Sequence, residues 1–256
     1  MQKVFKFSNE NLTAYQQLYN FNDARVLSVG GSGDQYFTAI LNGAEEVDLF
    51  DKNPYFWPYF VTKFYAIQNL SYKEFSKLFM HSSTFEDIFN TVNSLLPNKQ
   101  RKEISDVIVK VIIAYQFGCH RDEIKRMIFA DSIPYLERTR YKELQQKLQG
   151  RSLPDVYFSD IRDLPKEVSK NSYDIMLTSN IYQWMWTSPL TYLELLDQFN
   201  CPTFQAMYSY NEPLEEDTFD KYCGETPVKG WLHDKRETDY VYTYQKTKGE
   251  KYGSNI

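Results

Sequence analysis

Gly30, Gly31 and Gly33 crowd into one short stretch of VLSVGGSGDQYFTAI (residues 26–40), and Asp34 follows at once. A second acid, Asp51, ends the apolar run within VDLFDKNP (residues 47–54). Glycine permits a sharp turn and a close approach of backbone to ligand. The helix expected after the turn offers unpaired N–H groups at its start. A carboxylate at the end of the next strand sits where both hydroxyls of a ribose arrive. Residues of these types, in this order, point to capture of a nucleotide-like ligand.

Three ligand classes compete for such a turn. A P-loop requires G-x4-G-K-[ST], whereas Gly33 is followed by Asp34 and Gln35. A dinucleotide site requires G-x-G-x-x-G. Counted from Gly31, the chain supplies Gly31 and Gly33 but has Tyr36 in place of the third glycine. Asp34 would also set negative charge where a pyrophosphate has to lie. S-adenosylmethionine carries a cationic sulfonium and amino group, and its carboxylate can take backbone donors. A turn bearing an aspartate tolerates that ligand better.

These residues need elements to position them. ARVLSVG is a short apolar run that stops at glycine and reads as a buried strand. Residues 34–41 follow as a helix ended by Asn42-Gly43, and residues 46–50 form a second strand before Asp51. Strand, helix, strand is a βαβ unit with parallel strands. An N-terminal helical segment over 10–19 is expected, with Ser8 as its cap. YFWPYFVTKFYAIQNL is apolar on nearly every side, as in a helix sandwiched within protein. From 71 to 150 the texture is charged and helical. Ile104, Val107, Ile108, Val111, Ile112 and Tyr115 mark one face, and Ser132 with Pro134 opens a polar helix closed by Gly150. The charged run over 137–147 reads as a solvated face.

The α/β pattern then resumes. PDVYFSD (154–160) and YDIMLTSN (173–180) read as strands, the first ending in acid and the second at Asn. Ser188-Pro189 starts a helix through Phe199, PTFQAMYSY (202–210) is a strand, and residues 218–223 form a short helix. VKGWLH and DYVYTYQK are two late strands, the last alternating like an antiparallel edge. Residues 246–256 read as a frayed tail. The expected fold is α/β and Rossmann-like, mostly parallel, with a C-terminal antiparallel edge. It forms a single domain over 1–256, with 71–150 as a helical insertion.

VLSVGGSGDQYFTAI together with VDLFDKNP resembles motif I and the following acidic motif of class I S-adenosylmethionine-dependent methyltransferases. GGSGDQ followed by DKNPYFWPYFVTKFYAIQNLSYKEFSKLF is more specifically similar to the branch containing the aminocarboxypropyl transferases of betaine-lipid synthesis. The close likeness spans residues 26–79. It implies that Gly30, Gly31 and Gly33 shape the cofactor turn and that Asp51 holds the ribose. Asp34 and Asn53, within the same motifs, join the cofactor-binding set. Asp160 matches the acid that faces the adenine amino group. Ser28 stands where the wider class has an acid, and Ser32 where it has a glycine. Each assignment has a plainer counterpart: a tight turn at 30–33, or helix caps at Asp51 and Asp160.

The acceptor is expected beyond the next strand end, at TSNIYQWMW. There Asn180 could direct an amide, and Tyr182, Trp184 and Trp186 could wall an apolar pocket, with Tyr208 and Tyr210 near the following strand end. No dedicated base is evident from spacing; alignment of nucleophile and electrophile contributes much of the rate in such transfers. Three functions follow: methyl transfer to a small molecule, transfer of a 3-amino-3-carboxypropyl group, or ligand binding without turnover.

Composition narrows the partners. The net charge of −5 supplies no global electrostatic signal for nucleic acid, so a small-molecule acceptor and no nucleic acid are expected, although a local basic groove is compatible with this charge. No run reaches the ~20 apolar residues of a membrane span, no polybasic segment suggests lipid, and peripheral lipid contact is the most that is expected. No signal-peptide pattern opens the chain. Cys119, Cys201 and Cys223 are scattered and odd in number, which suits reduced thiols in a cytoplasm. Cys119-His120 has no second pair at zinc spacing, so no metal is expected. The 21 Tyr and 18 Phe fit either half-buried filler or an aromatic-lined pocket.

Overall fold

The computed structural model of the protein describes residues 3–81, 84–118, 131–210, 213, 217–230 and 238–246. Its sheet comprises β1 (Arg25–Val29), β2 (Glu46–Phe50), β3 (Val156–Tyr157), β4 (Ile175–Leu177), β5 (Thr203–Ser209), β6 (Cys223–Lys229) and β7 (Thr238–Gln245). The strand order is β3-β2-β1-β4-β5-β7-β6. β1 pairs in parallel with β2 and β4, and the parallel register continues outward to β3 and β5. β7 runs antiparallel to both β5 and β6.

Strand periodicity divides the core into two layers. Successive side chains of a strand point to opposite faces. Accordingly Val26, Leu49, Ile175 and Leu177 join one apolar cluster, whereas their neighbours Leu27, Phe50 and Met176 join the other. The first cluster is covered by the helices Asp34–Leu41, Phe56–Asn69 and Arg138–Leu148, and the second by the helix Pro189–Leu196. All eight residues of Asp34–Leu41 are buried, as are ten in Phe56–Asn69. The latter is the sandwiched helix that its apolar sequence predicts.

Several boundaries differ from the sequence expectation. The N-terminal segment forms a 3-10 turn, Leu12–Ala14, capped by Asn11, and a single α-turn, Tyr15–Leu18. Ser8 does not cap it; its N–H is donated to Asp34. Pro134 opens only a 3-10 turn, and the polar helix is capped by Glu137, whose carboxylate accepts the N–H groups of Thr139 and Arg140. β3 and β4 are shorter than their apolar runs. β4 ends because Ser179 takes a left-handed conformation (φ 58°), outside the extended region. The alternating last strand lies inside the sheet, and β6 forms the edge, where Pro227 gives no ladder N–H. This strand starts earlier than VKGWLH predicts, and residues 231–233 lie outside the described residues, as do Cys119-His120 and residues 247–256 of the expected tail.

The turn after β1 is fastened from below. Lys63, on Phe56–Asn69, is fully buried and lies 2.5 Å from the Asp34 carboxylate, which is equally buried. Lys63 also donates to the carbonyls of Lys6 and Ser32. Asp34 accepts further bonds from the Ser8 N–H, the Ser32 hydroxyl and the Tyr135 hydroxyl. One ion pair therefore ties together the N-terminal segment, the glycine turn and two helices of the same layer. Removing one partner of such a pair leaves a buried charge uncompensated, at a cost of about 3–5 kcal/mol. Lys63→Met is expected to lose that much in chemical denaturation, and Asp34→Asn/Lys63→Met to recover part of it. A double variant no more stable than the single would contradict this account.

Candidate functional site

The chain runs outward from β1 to β2 and β3, then crosses back to β4 and β5. This reversal opens a crevice at the carboxyl ends of β1 and β4, where ligands of open α/β sheets bind. Two adjoining cavities occupy it. One, of about 410 Å³, is bounded by Phe5, Ser8, Gly30, Gly31, Gln35 and Asn180 among others. The second, of about 480 Å³, is bounded by Phe50, Asp160, Ile161, Met185 and Trp186 among others. Val29, Asp51, Ile181 and Trp184 line both.

The glycine turn follows directly from local geometry. Gly31 and Gly33 have φ of 47° and 79°, conformations that L side chains rarely adopt. A Cβ on Gly30 would meet the Phe56 ring at 2.3 Å, and one on Gly33 the Phe60 ring at 2.6 Å. Gly31 has nothing within 4 Å of its own Cβ position. Gly30 and Gly33 thus let the helix Phe56–Asn69 press against the turn, and Gly31 leaves open space on the cleft side.

Asp51 joins this turn across the sheet. One carboxylate oxygen accepts the Gly31 N–H at 2.9 Å, and the other accepts the Asn53 N–H at 2.9 Å. Each oxygen retains a second lone pair, so the group can still take two hydroxyl donors from the cleft. Burial raises its pKa, against the lowering effect of the two N–H bonds and Lys52. Asp160 contrasts with it. A forked contact from Arg162, at 2.8 and 2.9 Å, holds the Asp160 pKa at about 2. Asp160 also accepts the Arg162 N–H at 3.2 Å, so it caps its own turn while lining the cavity.

The other expected site residues divide. Asp34 borders the smaller cavity, but its carboxylate is occupied by Lys63, Tyr135, Ser8 and Ser32. Lys63 compensates its charge, so Asp34 does not act as a bare anion in the turn. Asn53 lies outside both cavity walls; its amide donates to the Lys3 carbonyl and accepts the Tyr55 N–H. Asn180 lines the cleft. Tyr182 does not: its ring packs against Tyr192 and Phe219 at 5.2 and 4.9 Å within the second core cluster. Trp184 and Trp186 do reach the cleft and are 70% and 97% exposed. Tyr208 is buried, donating to Asp239 and accepting the Asn11 N–H.

Sequence reasoning missed a polar network beneath the smaller cavity. Glu10 is buried and accepts hydrogen bonds from Tyr15, Gln35 and Ser179. Gln205 on β5 donates to Tyr15 and accepts the Ser179 N–H at 2.8 Å. Ser28, at the position where the wider class has an acid, donates to Gln35 at 3.2 Å. Burial raises the pKa of Glu10, against the lowering effect of its hydrogen bonds. The network joins the N-terminal segment to β1, β4 and β5. A lone Glu in a polar stretch carries no periodic signal, so only the fold reveals this partnership. Among the described residues, no group of His, Cys, Asp or Glu could hold a metal ion, and no helix is long and apolar enough to cross a membrane.

No protein-family profile matches the chain, and no curated protein matches it. Solved structures do. The rRNA methyltransferase aviRa from Streptomyces viridochromogenes aligns with a TM-score of 0.50 at 14% identity, covering 93% of this chain and 85% of that one. A second structure of that enzyme gives 0.49 at 11% identity, with the same coverage. This corrects the expectation of a small-molecule acceptor and no nucleic acid, because the enzyme sharing this architecture is named for acting on RNA. Net charge is a sum over the whole surface and does not reveal local basic patches, which is why it could not exclude such a partner. Sheet order, cleft and comparison agree on one conclusion: the chain has the Rossmann-like fold of class I S-adenosylmethionine-dependent methyltransferases.

Proposed function

We propose that the chain is an S-adenosylmethionine-dependent methyltransferase with an RNA acceptor. The observation that carries the cofactor reading is the bond between Asp51 and the Gly31 N–H, which unites the acid and the glycine turn at one cleft. The open space beside Gly31 and the free lone pairs of Asp51 fit an adenosyl ligand. Gly30, Gly31 and Asp51 would hold its ribose and amino-acid portions, and Asp160 and Ile161 would border the adenine. When bound, the cofactor supplies a methyl carbon on a sulfonium, already a good leaving group. The protein's part is then to align the acceptor and exclude water.

RNA recognition commonly stacks unpaired bases on aromatic side chains. Trp184 and Trp186, exposed at the cleft mouth, provide such surfaces, and the RNA-modifying neighbour supports the same acceptor class. The resemblance of residues 26–79 to the aminocarboxypropyl branch favours a second reading, in which the longer chain is transferred.

Isothermal titration with S-adenosylhomocysteine and methylthioadenosine tests both readings. Saturable binding of S-adenosylhomocysteine is expected, weakened about 10- to 100-fold in Asp51→Ala, as for loss of hydrogen bonds to a charged group. Preference for methylthioadenosine would favour the longer transferred group; binding of neither would sink the cofactor assignment. The pH profile carries a sign. The ionised Asp51 accepts the hydroxyls, and burial raises its pKa. Affinity should therefore decline on acidification, starting above the ordinary aspartate value of about 4, while Asp160 stays ionised. Constant affinity down to that value would contradict the role of Asp51.

Two glycine variants separate fold from ligand. Gly31→Ala should cost about 1–2 kcal/mol of stability from its positive φ, yet weaken cofactor binding more than that strain explains. Gly30→Ala should destabilise more, because its methyl strikes the Phe56 ring. On the acceptor side, Trp186→Ala should lose about 1–3 kcal/mol of RNA affinity. Fluorescence anisotropy of a labelled single-stranded RNA measures it, and unaltered RNA affinity would remove Trp186 from the acceptor site.

A further inference from the structure

A third cavity, a recess of about 610 Å³, lies among the helices between β2 and β3. Lys73, Lys77, Arg138 and Lys142 line it together with Ser76 and His81, and among the described residues no acid contributes to its wall. Lys73 and Lys77 are four residues apart on one segment, and Arg138 and Lys142 are four apart on the other. Like charges at this spacing repel when they share a helix face. None of these four cations makes an ion pair among the described residues.

The acids that adjoin Lys73 and Arg138 in sequence hold capping bonds and not ion pairs with them. Glu74 accepts the N–H and hydroxyl of Ser71 in a capping box, and Glu137 accepts the N–H groups of Thr139 and Arg140. On the same helix, Arg140 and Lys147 both pair with Glu143. Arg138 and Lys142 lie on the solvated face that the charged run over 137–147 predicts, but take no part in its ion pairs. Ser76 and Lys77 lie in a π-helical turn, Ser76–Met80, a distortion frequent at functional sites. An anion seated in the recess would relieve the repulsion between the cations and could accept bonds from Ser76 and His81.

We propose that this recess binds phosphate groups of the RNA acceptor backbone, away from the base that enters the cleft; the inference rests on the RNA reading above. A lipid headgroup presents the same phosphate chemistry. A membrane-bound face, however, also inserts apolar side chains, and among the described residues the exposed large apolar ones, such as Val109, Phe158 and Trp186, do not line this recess. A short stretch of chain connects the recess with the cleft. Tyr135, three residues before Arg138, donates its hydroxyl to Asp34 beneath the glycine turn, and the helix Arg138–Leu148 packs on both Asp34–Leu41 and Phe56–Asn69.

The test compares the full chain with Lys73→Ala/Lys77→Ala/Arg138→Ala/Lys142→Ala, four changes at exposed positions. The two double variants serve as backup should the quadruple fail to fold. Anisotropy of a labelled single-stranded RNA is followed across salt concentrations, with S-adenosylhomocysteine titrated into the same samples. The expected result is RNA binding weakened at least about tenfold at low salt, with cofactor affinity unchanged. The slope of log affinity against log salt should fall by ~0.7 for each phosphate that the variant no longer neutralises. Equal RNA affinity and slope in the parent and the variants would overturn the recess as a phosphate site while leaving the RNA reading intact. A parent that binds no RNA, but binds anionic phospholipid vesicles through these cations, would overturn both. If inorganic phosphate saturates the recess and RNA does not compete with it, the backbone assignment falls and a free-phosphate site replaces it.

Discussion

A buried charge pair sets the terms for the rest of this molecule. Lys63 and Asp34 are both removed from solvent, and the hydration each forgoes there is offset only by the other and by the hydrogen bonds around them. The Lys6 and Ser32 carbonyls, the Ser8 N–H and the Tyr135 hydroxyl supply those bonds. They come from the start of the chain, the turn after β1 and the segment before Arg138–Leu148. Satisfying one pair therefore fixes the entry segment, the glycine turn and the helical layer relative to one another. The cleft inherits that geometry, because Gly31 lies in the same turn and aligns its N–H with Asp51.

The abundance of tyrosine has a related explanation. Tyr15, Tyr59, Tyr135, Tyr141, Tyr192, Tyr208 and Tyr242 are fully buried, and each hydroxyl is hydrogen-bonded. A buried phenol must find a partner or bear the desolvation cost. Here the phenols serve as long struts whose rings fill the core and whose tips secure carboxylates, carbonyls and a hydroxyl. Of the aromatic content, Phe5, Phe50, Trp184 and Trp186 are among the residues that line the cleft; most of the rest is core.

Legibility in the sequence follows the range of the interactions. The βαβ unit is readable because period, glycine and acid all act within about thirty residues, and β1, Asp34–Leu41 and β2 lie where that pattern places them. Asp51 is readable for the same reason. Glu10, Ser179 and Gln205 are not, since their partnership spans most of the chain and leaves no local spacing to detect. Tyr182 misleads because a strand-end aromatic looks alike whether it turns to the cleft or to Tyr192 and Phe219. Ser132 and Pro134 promise a helix start, but the carboxylate of Glu137 caps the helix instead. The internal position of β7 escapes because strand order in a hairpin is decided by pairing, not by alternation.

The long reach of those contacts also bears on how the cleft comes into being. Glu10 bonds Ser179, and Asn11 bonds Tyr208 on β5 and the Lys229 carbonyl on β6. The smaller cavity acquires its wall only when residues 5–9 meet residues 179–184, and its supporting contacts reach on to β5 and β6. Closing loops of that length carries an entropic cost that local contacts cannot offset early. During synthesis the βαβ unit can form on the emerging chain, while the floor beside Gly31 must wait for β4, β5 and the terminal hairpin. Completion of the cleft is in this sense a late event in folding.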